Sequence, residues 1–74
     1  MWNTTGRFSI EFQIAGTDTF DRHQMLNTDS AELAQFGFSE TVDGIKRLGD
    51  LTDMVAVRLF DSESQQTVTQ WVAS

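Results

Sequence analysis

Cysteine is absent from this chain of 74 residues, which excludes disulfide bonds and thiolate metal sites as sources of stability. Tyrosine is also absent, and His23 is the single histidine. No Gly-x-Ser-x-Gly turn accompanies that histidine, so the sequence gives no indication of a Ser-His-Asp hydrolase. The acidic residues lack the spacing of a calcium-binding loop. We therefore expect no metal, no cofactor and no enzymatic activity.

Long apolar runs are missing too. No segment approaches the roughly 20 apolar residues that a membrane span needs. The first seven residues lack a basic stretch followed by an apolar one, so they do not resemble a secretory signal. The sequence predicts a soluble protein of the cytoplasm, either that of its own cell or that of a host cell, without a membrane partner.

Basic residues are scarce. One Lys and four Arg stand against seven Asp and four Glu, for a formal net charge of −6. Such a surface repels phosphate groups, and the basic residues do not form a cluster, so we expect no direct nucleic-acid binding. Two explanations of the acidity stay open: mimicry of a nucleic acid, or adaptation to solubility or high salt.

The chain length fits a single small domain over residues 1–74. A domain of this size buries only about 60% of the surface that its unfolded chain exposes. Six Phe and two Trp supply large side chains for a core, which argues against disorder. Residues 1–6 precede the first regular pattern, and we expect them to be a flexible N-terminus.

Two segments in the first third of the chain suggest a hairpin. Residues 7–14 alternate between apolar and polar side chains, which is typical of a half-buried strand. Residues 19–26 are the candidate for a second strand that returns after a turn. Their alternation is poor, so an irregular loop is the alternative.

Helix signals dominate the middle of the chain. Asp29 and Glu32 have the spacing of a capping box, and Gly37 is suited to end a helix in the left-handed conformation. Ser39 is a second N-cap candidate, and Gly49 ends the segment. The sequence therefore predicts two short helices, or one helix that is broken at Gly37.

Two further strands are predicted near the C-terminus, at residues 53–60 and 67–73. The fold class is α+β: a small, antiparallel-rich sheet of three or four strands, with two short helices packed on one face. The element order is ββααββ, or βααββ if residues 19–26 form a loop.

The register of the last two strands determines which residues share a face. If Phe60 pairs with Thr67, then Leu59 faces Val68 and both point to the core, as does Val72. That register places the polar and aromatic residues of these strands on the opposite side.

The same register predicts an interaction surface. Arg58 then lies opposite Thr69 and diagonal to Trp71, within reach of a cation–π contact. Trp and Arg side chains often carry the energy of protein interfaces. The candidate interface residues are Arg58, Phe60, Trp71 and Met54.

The function that these observations favour is a non-enzymatic protein-binding module, a small acidic adaptor or inhibitor. Inhibitors of phage or mobile-element type have this size. The alternative is a structural homo-oligomeric small subunit that associates with itself through the aromatic face. A small enzyme or a nucleic-acid mimic is less favoured. The partner is thus another protein or a second copy of the chain.

Overall fold

A computed structural model of the chain describes residues 1–73; Ser74, the last residue of the predicted domain, lies outside that range. The order of the elements is ββαββ. They are β1 (Phe8–Ile14), β2 (Asp21–Thr28), α1 (Ala31–Leu48), a 3-10 turn (Gly49–Leu51), β3 (Met54–Asp61) and β4 (Gln66–Val72). The strands form one antiparallel sheet in the order β2-β1-β3-β4. The predicted α+β class is confirmed.

The second predicted strand is a strand rather than a loop. It runs from Asp21 to Thr28, two residues later than the segment that the sequence indicated. Its pairing with β1 is irregular between Ser9 and Glu11. This irregularity accounts for the poor alternation of apolar and polar residues in β2. Extra residues in β2 interrupt the rule that every second side chain faces the core.

The prediction of two helices is wrong, since one helix runs from Ala31 to Leu48. Ser30, not Asp29, is its N-cap: the Ser30 hydroxyl accepts a hydrogen bond from the Leu33 N–H at 3.1 Å. Gly37 lies inside the helix and is buried. A Cβ at this position would overlap the indole of Trp2, so this glycine serves close packing rather than helix termination.

The C-terminal end of the helix agrees with the prediction. Gly49 adopts a positive φ of 54°, and its N–H donates to the Ile45 carbonyl. Lys46 and Arg47 lie in the last turn, where the negative end of the helix dipole favours cations.

The core lies between α1 and one face of the sheet. Ile10, Val57 and Leu59 from the central strands are at most 1% exposed. From the helix they meet Ala34, Val42 and Ile45. Complete burial of an aliphatic side chain is worth about 1.5–3 kcal/mol, so this cluster is the main source of stability. Five partly buried residues complete it: Trp2, Leu26, Phe38, Met54 and Trp71.

The N-terminal segment is fixed to the domain at two points. The indole of Trp2 packs over Gly37, and Asn3 exchanges two backbone hydrogen bonds with Asn27 of β2, at 2.7 and 3.2 Å. We therefore expect residues 1–6 to be anchored rather than flexible.

The predicted register of β3 and β4 is correct at one end only. Phe60 does lie opposite Thr67, but a bulge at Val68 then shifts the pairing by one residue. Beyond it, Arg58 lies opposite Gln70, and Val57 lies opposite Trp71. Since a one-residue shift moves every side chain to the other face of a sheet, Trp71 points to the helix.

The same shift leaves two valines outside the core. Val68 and Val72, predicted to be buried, are 45% and 59% exposed. In the predicted register Val72 faced Val55; after the bulge at Val68 it lies opposite Ala56 instead. A second irregularity, in the pairing of β1 with β3, skips Val55. The sequence alone contains no signal for either bulge.

Candidate protein-interaction surface

The sheet has a covered face and an open face. The helix packs on the covered face, and no helix or strand among residues 1–73 packs on the other. We call this second surface the open face. The register places the following strand residues on it: Ser9, Glu11, Gln13, Arg22, Asn27, Ala56, Arg58, Phe60, Thr67, Gln70 and Val72. Four of them are buried by their neighbours: Ser9, Glu11, Asn27 and Ala56.

A polar row crosses the open face over all four strands. Arg22 lies opposite Glu11, Glu11 opposite Arg58, and Arg58 opposite Gln70. The row therefore alternates positive, negative, positive and neutral groups. Opposite charges on directly opposed strand residues attract each other, whereas like charges would repel.

The centre of the row is an ion pair. The Nε and Nη2 atoms of Arg58 both lie 2.6 Å from Oε1 of Glu11. Glu11 is only 8% exposed, so its charge needs this partner. The hydroxyl of Ser9, itself buried, reaches the second carboxylate oxygen at 3.4 Å.

Two aromatic rings hold the guanidinium of Arg58. Its Cζ lies 4.4 Å from the ring centre of Phe20 and 4.8 Å from that of Phe60. Contacts of this kind are worth about 0.5–1 kcal/mol each at exposed sites. We call the four residues Glu11, Phe20, Arg58 and Phe60 the Arg58 clamp. The clamp fixes the direction of the guanidinium plane and leaves the side chain 26% exposed.

One nitrogen of the clamped guanidinium, Nη1, has both of its N–H donors free within residues 1–73. Glu11 takes Nε and Nη2. A guanidinium carries five N–H donors in a planar fork that suits carboxylates. The open face thus presents an oriented donor to whatever lies against it.

The open face also differs in charge from the rest of the molecule. Its strand residues include Arg22 and Arg58 against the single acidic residue Glu11, a local balance of +1 (two minus one). The whole chain has a charge of −6. The face is therefore the part of the sheet on which an acidic partner meets least repulsion.

The structure separates the four predicted interface residues into two pairs. Arg58 and Phe60 lie on the open face, whereas Trp71 and Met54 pack against the core. The predicted contact of Arg58 with Trp71 is wrong, because the bulge at Val68 puts the two residues on opposite faces. Arg58 stacks on Phe20 and Phe60 instead.

Trp71 and Met54 line a small cavity at the C-terminal end of the helix. Its volume is about 260 Å³, and its other lining residues are Ile45, Lys46, Gly49, Asp50 and Ala73. This volume is slightly below the range of roughly 300–1,000 Å³ that is typical of small-molecule sites.

Two members of the clamp were not predicted as site residues. Glu11 alternates with apolar residues, and a strand residue of that kind is usually exposed to solvent; the structure buries it under Arg58. Phe20 precedes β2 in the β1–β2 connection, where no periodicity assigns a side chain to a face. The one sequence signal for these two residues was the alternation of β1, which puts Glu11 on the polar side of the strand.

A second ion pair closes the β3–β4 turn onto β1. Arg7 donates from Nε and Nη2 to both carboxylate oxygens of Asp61, at 3.0 and 2.9 Å. The Glu63 N–H donates to the same carboxylate at 3.0 Å. The hydrogen bond from Arg7 is the main reason that the pKa of Asp61 lies well below its usual range. Arg7 and Asp61 are 54 residues apart in the sequence, and their ion pair fixes the start of the β3–β4 turn next to β1.

The other polar groups considered from the sequence are His23 and the acidic side chains. His23 is exposed, and its Nδ1 accepts a hydrogen bond from the Met25 N–H at 3.1 Å. Within residues 1–73, the structure contains no group of three or more His, Asp or Glu side chains arranged to hold a metal ion. None of the described helices has the length and apolar character of a membrane span.

Comparisons with protein-family models, curated proteins and solved structures found no match to this chain.

Proposed function

We propose that this chain is a non-enzymatic protein-binding module that docks a partner protein on the open face of its sheet. The observation that carries the proposal is the Arg58 clamp. It holds an arginine with an unpaired donor nitrogen at the centre of a face that no helix or strand of residues 1–73 covers.

Preorganisation supports a binding role for the clamp. An arginine side chain loses up to about 2 kcal/mol of rotamer entropy when it becomes fixed. In the clamp, Glu11, Phe20 and Phe60 have already fixed it before any partner arrives. Binding then costs less, because fewer side chains become ordered in the complex.

The chemistry of the face indicates the kind of partner. An exposed carboxylate on the partner can accept from Nη1 of Arg58, and apolar side chains can pack on Phe60 and Val72. The local charge of +1 favours such an acidic segment, whereas the acidic remainder of the chain repels it. We therefore expect a partner protein with an acidic residue among apolar ones.

Single-stranded nucleic acid fits this face less well. Sheets that bind it offer free aromatic faces on which bases stack, within a strongly positive groove. Here Phe20 and Phe60 each have the guanidinium of Arg58 against the ring. The face has no lysine, and the total charge of −6 opposes binding of phosphates.

Small size and acidity alone support a finer description of the protein as an adaptor or inhibitor. The same two properties are all that supports a phage or mobile-element type. A structural role as a homo-oligomeric small subunit is the second candidate. The outer strand β4, which carries no charged side chain, favours that second role.

Site-directed photo-crosslinking tests the proposal. A photoreactive phenylalanine analogue replaces the exposed Gln70 on the open face in one variant, and the exposed Phe36 on the outer side of α1 in the control. In lysates of the source organism, we expect a specific protein adduct from position 70 and not from position 36. The captured protein is then purified and titrated with the unmodified chain.

The titration decides the role of the clamp. We expect Arg58→Lys, which keeps the charge but not the planar fork, to weaken binding by about tenfold or more. Lys46→Gln, on the helix, is the matched control and should leave binding unchanged. Adducts from position 36 only, or equal binding by both variants, would contradict the proposal. Binding of single-stranded oligonucleotides that weakens steeply with salt would favour the nucleic-acid alternative.

A further inference from the structure

The two outer strands of the sheet differ in how their free edges are protected. An unpaired edge strand is a template for pairing with another chain, and proteins usually block it with charges, bulges or covering segments. The strands at issue are β2 and β4, which lie at opposite edges of the sheet.

The edge at β2 carries several of these protections. Asp21, Arg22 and His23 give it charged or titratable side chains. The backbone of Asn27 is paired with Asn3 of the N-terminal segment, and the Met25 N–H is bonded to the side chain of His23. A further strand therefore finds part of this edge already occupied.

The edge at β4 lacks charge altogether. No Asp, Glu, Lys, Arg, His or Pro occurs from Gln66 to Ala73, although the chain as a whole is strongly acidic. Five of the seven residues of β4 are Thr, Val or Trp, which favour sheets. Two of these five, Val68 and Val72, are exposed. The bulge at Val68 is its one protective feature.

Backbone groups beyond that bulge are available for pairing. The Ala73 N–H donates to the Val55 carbonyl at 2.8 Å, so the backbone of Ala73 faces β3. The backbone N–H and C=O groups of successive residues in a strand point alternately to one side and to the other. The N–H and C=O groups of Trp71 and Thr69 thus also face β3, and those of Gln70 and Val72 face outward.

We propose that β4 is a self-association edge, at which a second copy of the chain pairs antiparallel through its own β4. The register that uses the outward groups places Gln70 opposite Gln70 of the second copy. Val68 then lies opposite Val72 of the second copy, and Thr69 opposite Trp71. Both exposed valines of the strand become cross-strand neighbours in this arrangement.

The charge distribution favours a second copy of the chain as the partner that pairs with the β4 edge. Two chains of −6 repel each other over most of their surface, and β4 is an edge at which neither copy contributes an ionised side chain. A two-fold axis perpendicular to the sheet makes such an interface self-complementary. The product is an eight-stranded sheet that carries both helices on one side and both open faces on the other.

Self-association at β4 does not depend on partner docking at the open face, since that face stays uncovered in the dimer. Its test uses the full chain at increasing concentration, with the mass measured by light scattering after gel filtration. We expect the mass to rise from 8.4 kDa towards twice that value. Because edge pairing alone buries little surface, association at micromolar to millimolar concentration is expected.

Matched lysine substitutions at the two edges identify the strand. Val72→Lys and Met25→Lys each replace an exposed apolar residue, at 59% and 55% exposure, on β4 and β2 respectively. A lysine is the usual natural block of a free edge. We expect Val72→Lys to raise the dissociation constant of the dimer by about tenfold or more, while Met25→Lys leaves it unchanged.

Amide hydrogen exchange gives a second readout. The Gln70 and Val72 N–H groups should exchange slowly in the dimer and rapidly in Val72→Lys, whereas the Trp71 N–H, which faces β3, stays protected in both. If Val72→Lys does not fold, Val68→Lys takes its place. A wild-type chain that remains monomeric at about 1 mM, or a dimer that is lost equally in Met25→Lys, would overturn the proposal.

Discussion

The two faces of the sheet use the same strands for different purposes. On the covered face, Ile10, Val57 and Leu59 are almost completely buried against α1. On the open face, the residues that alternate with them include the charged pair of Glu11 and Arg58, fixed between two aromatic rings. The covered face thus resembles an ordinary apolar core. The open face carries an ordered polar cluster on which no helix or strand of residues 1–73 packs.

The comparison separates the face that stabilises the domain from the face for which we propose a binding role. Apolar burial contributes to folding wherever it occurs, so the covered face suffices for a stable fold. Arranging an ion pair and two rings on the open face adds little net stability, because the cost of removing the Glu11 carboxylate from water offsets much of its attraction to Arg58. We infer that the order of the open face is related to binding rather than to stability.

The largest effect is expected from a charge on the covered face. Val57→Asp, or equally Ile10→Asp, places an unpaired carboxylate in the core and should unfold the domain. Gln70→Asp, on the open face of the neighbouring strand, should change the free energy of unfolding by about 0.5 kcal/mol or less. Thermal melts followed by circular dichroism check both. A cooperative melt of Val57→Asp at the wild-type temperature would show that the faces are assigned wrongly.

The next effect compares an aromatic residue from each face. Trp71 is partly buried against the core, so Trp71→Ala should lower the free energy of unfolding by about 2–4 kcal/mol. Phe60→Ala on the open face should cost less than half of that and should weaken binding of the partner. Chemical denaturation of both variants gives the two values. Equal losses of stability would remove the distinction between the faces.

The two glycines inside the helix extend the comparison to α1. Gly37→Ala brings a methyl group into the indole of Trp2 and should destabilise the domain by about 1–3 kcal/mol. Gly44→Ala meets no atom within 4 Å and should stabilise it by about 0.5–1 kcal/mol. Urea titrations measure both changes. Opposite signs are the expected result, and a stabilising Gly37→Ala would mean that Trp2 does not pack there.

The smallest effect concerns pH. Because the pKa of Asp61 is lowered in the folded state, the unfolded chain binds more protons as the pH falls below the unfolded value of about 3.9. The stability from the pair with Arg7 is therefore fully present above about pH 4 to 5 and is lost on further acidification.

The matched variant for this prediction is Asp61→Asn, which cannot ionise. Melting temperatures of wild type and variant should differ at pH 7 and converge as the pH falls below about 4. A constant difference over this range would show that the Arg7–Asp61 pair does not contribute in the way proposed.

Local sequence patterns predicted a good part of the fold. The alternation of residues 7–14 and 53–60 identified β1 and β3, because each strand has one buried face and a period of two. The end of the helix at Gly49 was also predictable, since its chemistry is local. The break at Gly37 was not, because the reason for that glycine is Trp2, which lies 35 residues earlier and meets it only in the folded chain.

The candidate surface was predicted in half of its residues. Arg58 and Phe60 were identified by their parity in β3, which the bulges leave intact around them. Trp71 and Met54 were assigned to the wrong face, since one extra residue in a strand reverses every later assignment. No sequence pattern identified Phe20, because it lies in the β1–β2 connection. The path of that connection is known only once the two strands are paired.

By itself, the sequence determined the composition of the molecule's parts: an acidic chain without cysteine, strands with one apolar face, and a helix with a defined C-terminal end. These properties depend on the residues and their near neighbours. Only the tertiary structure decided which side of the sheet Trp71 joins, that Gly37 continues the helix, and that Arg58 is held by Phe20 and Phe60. Bulges, close contacts and stacked rings join residues that are distant in the chain, and their geometry follows from packing of the whole molecule rather than from any local pattern.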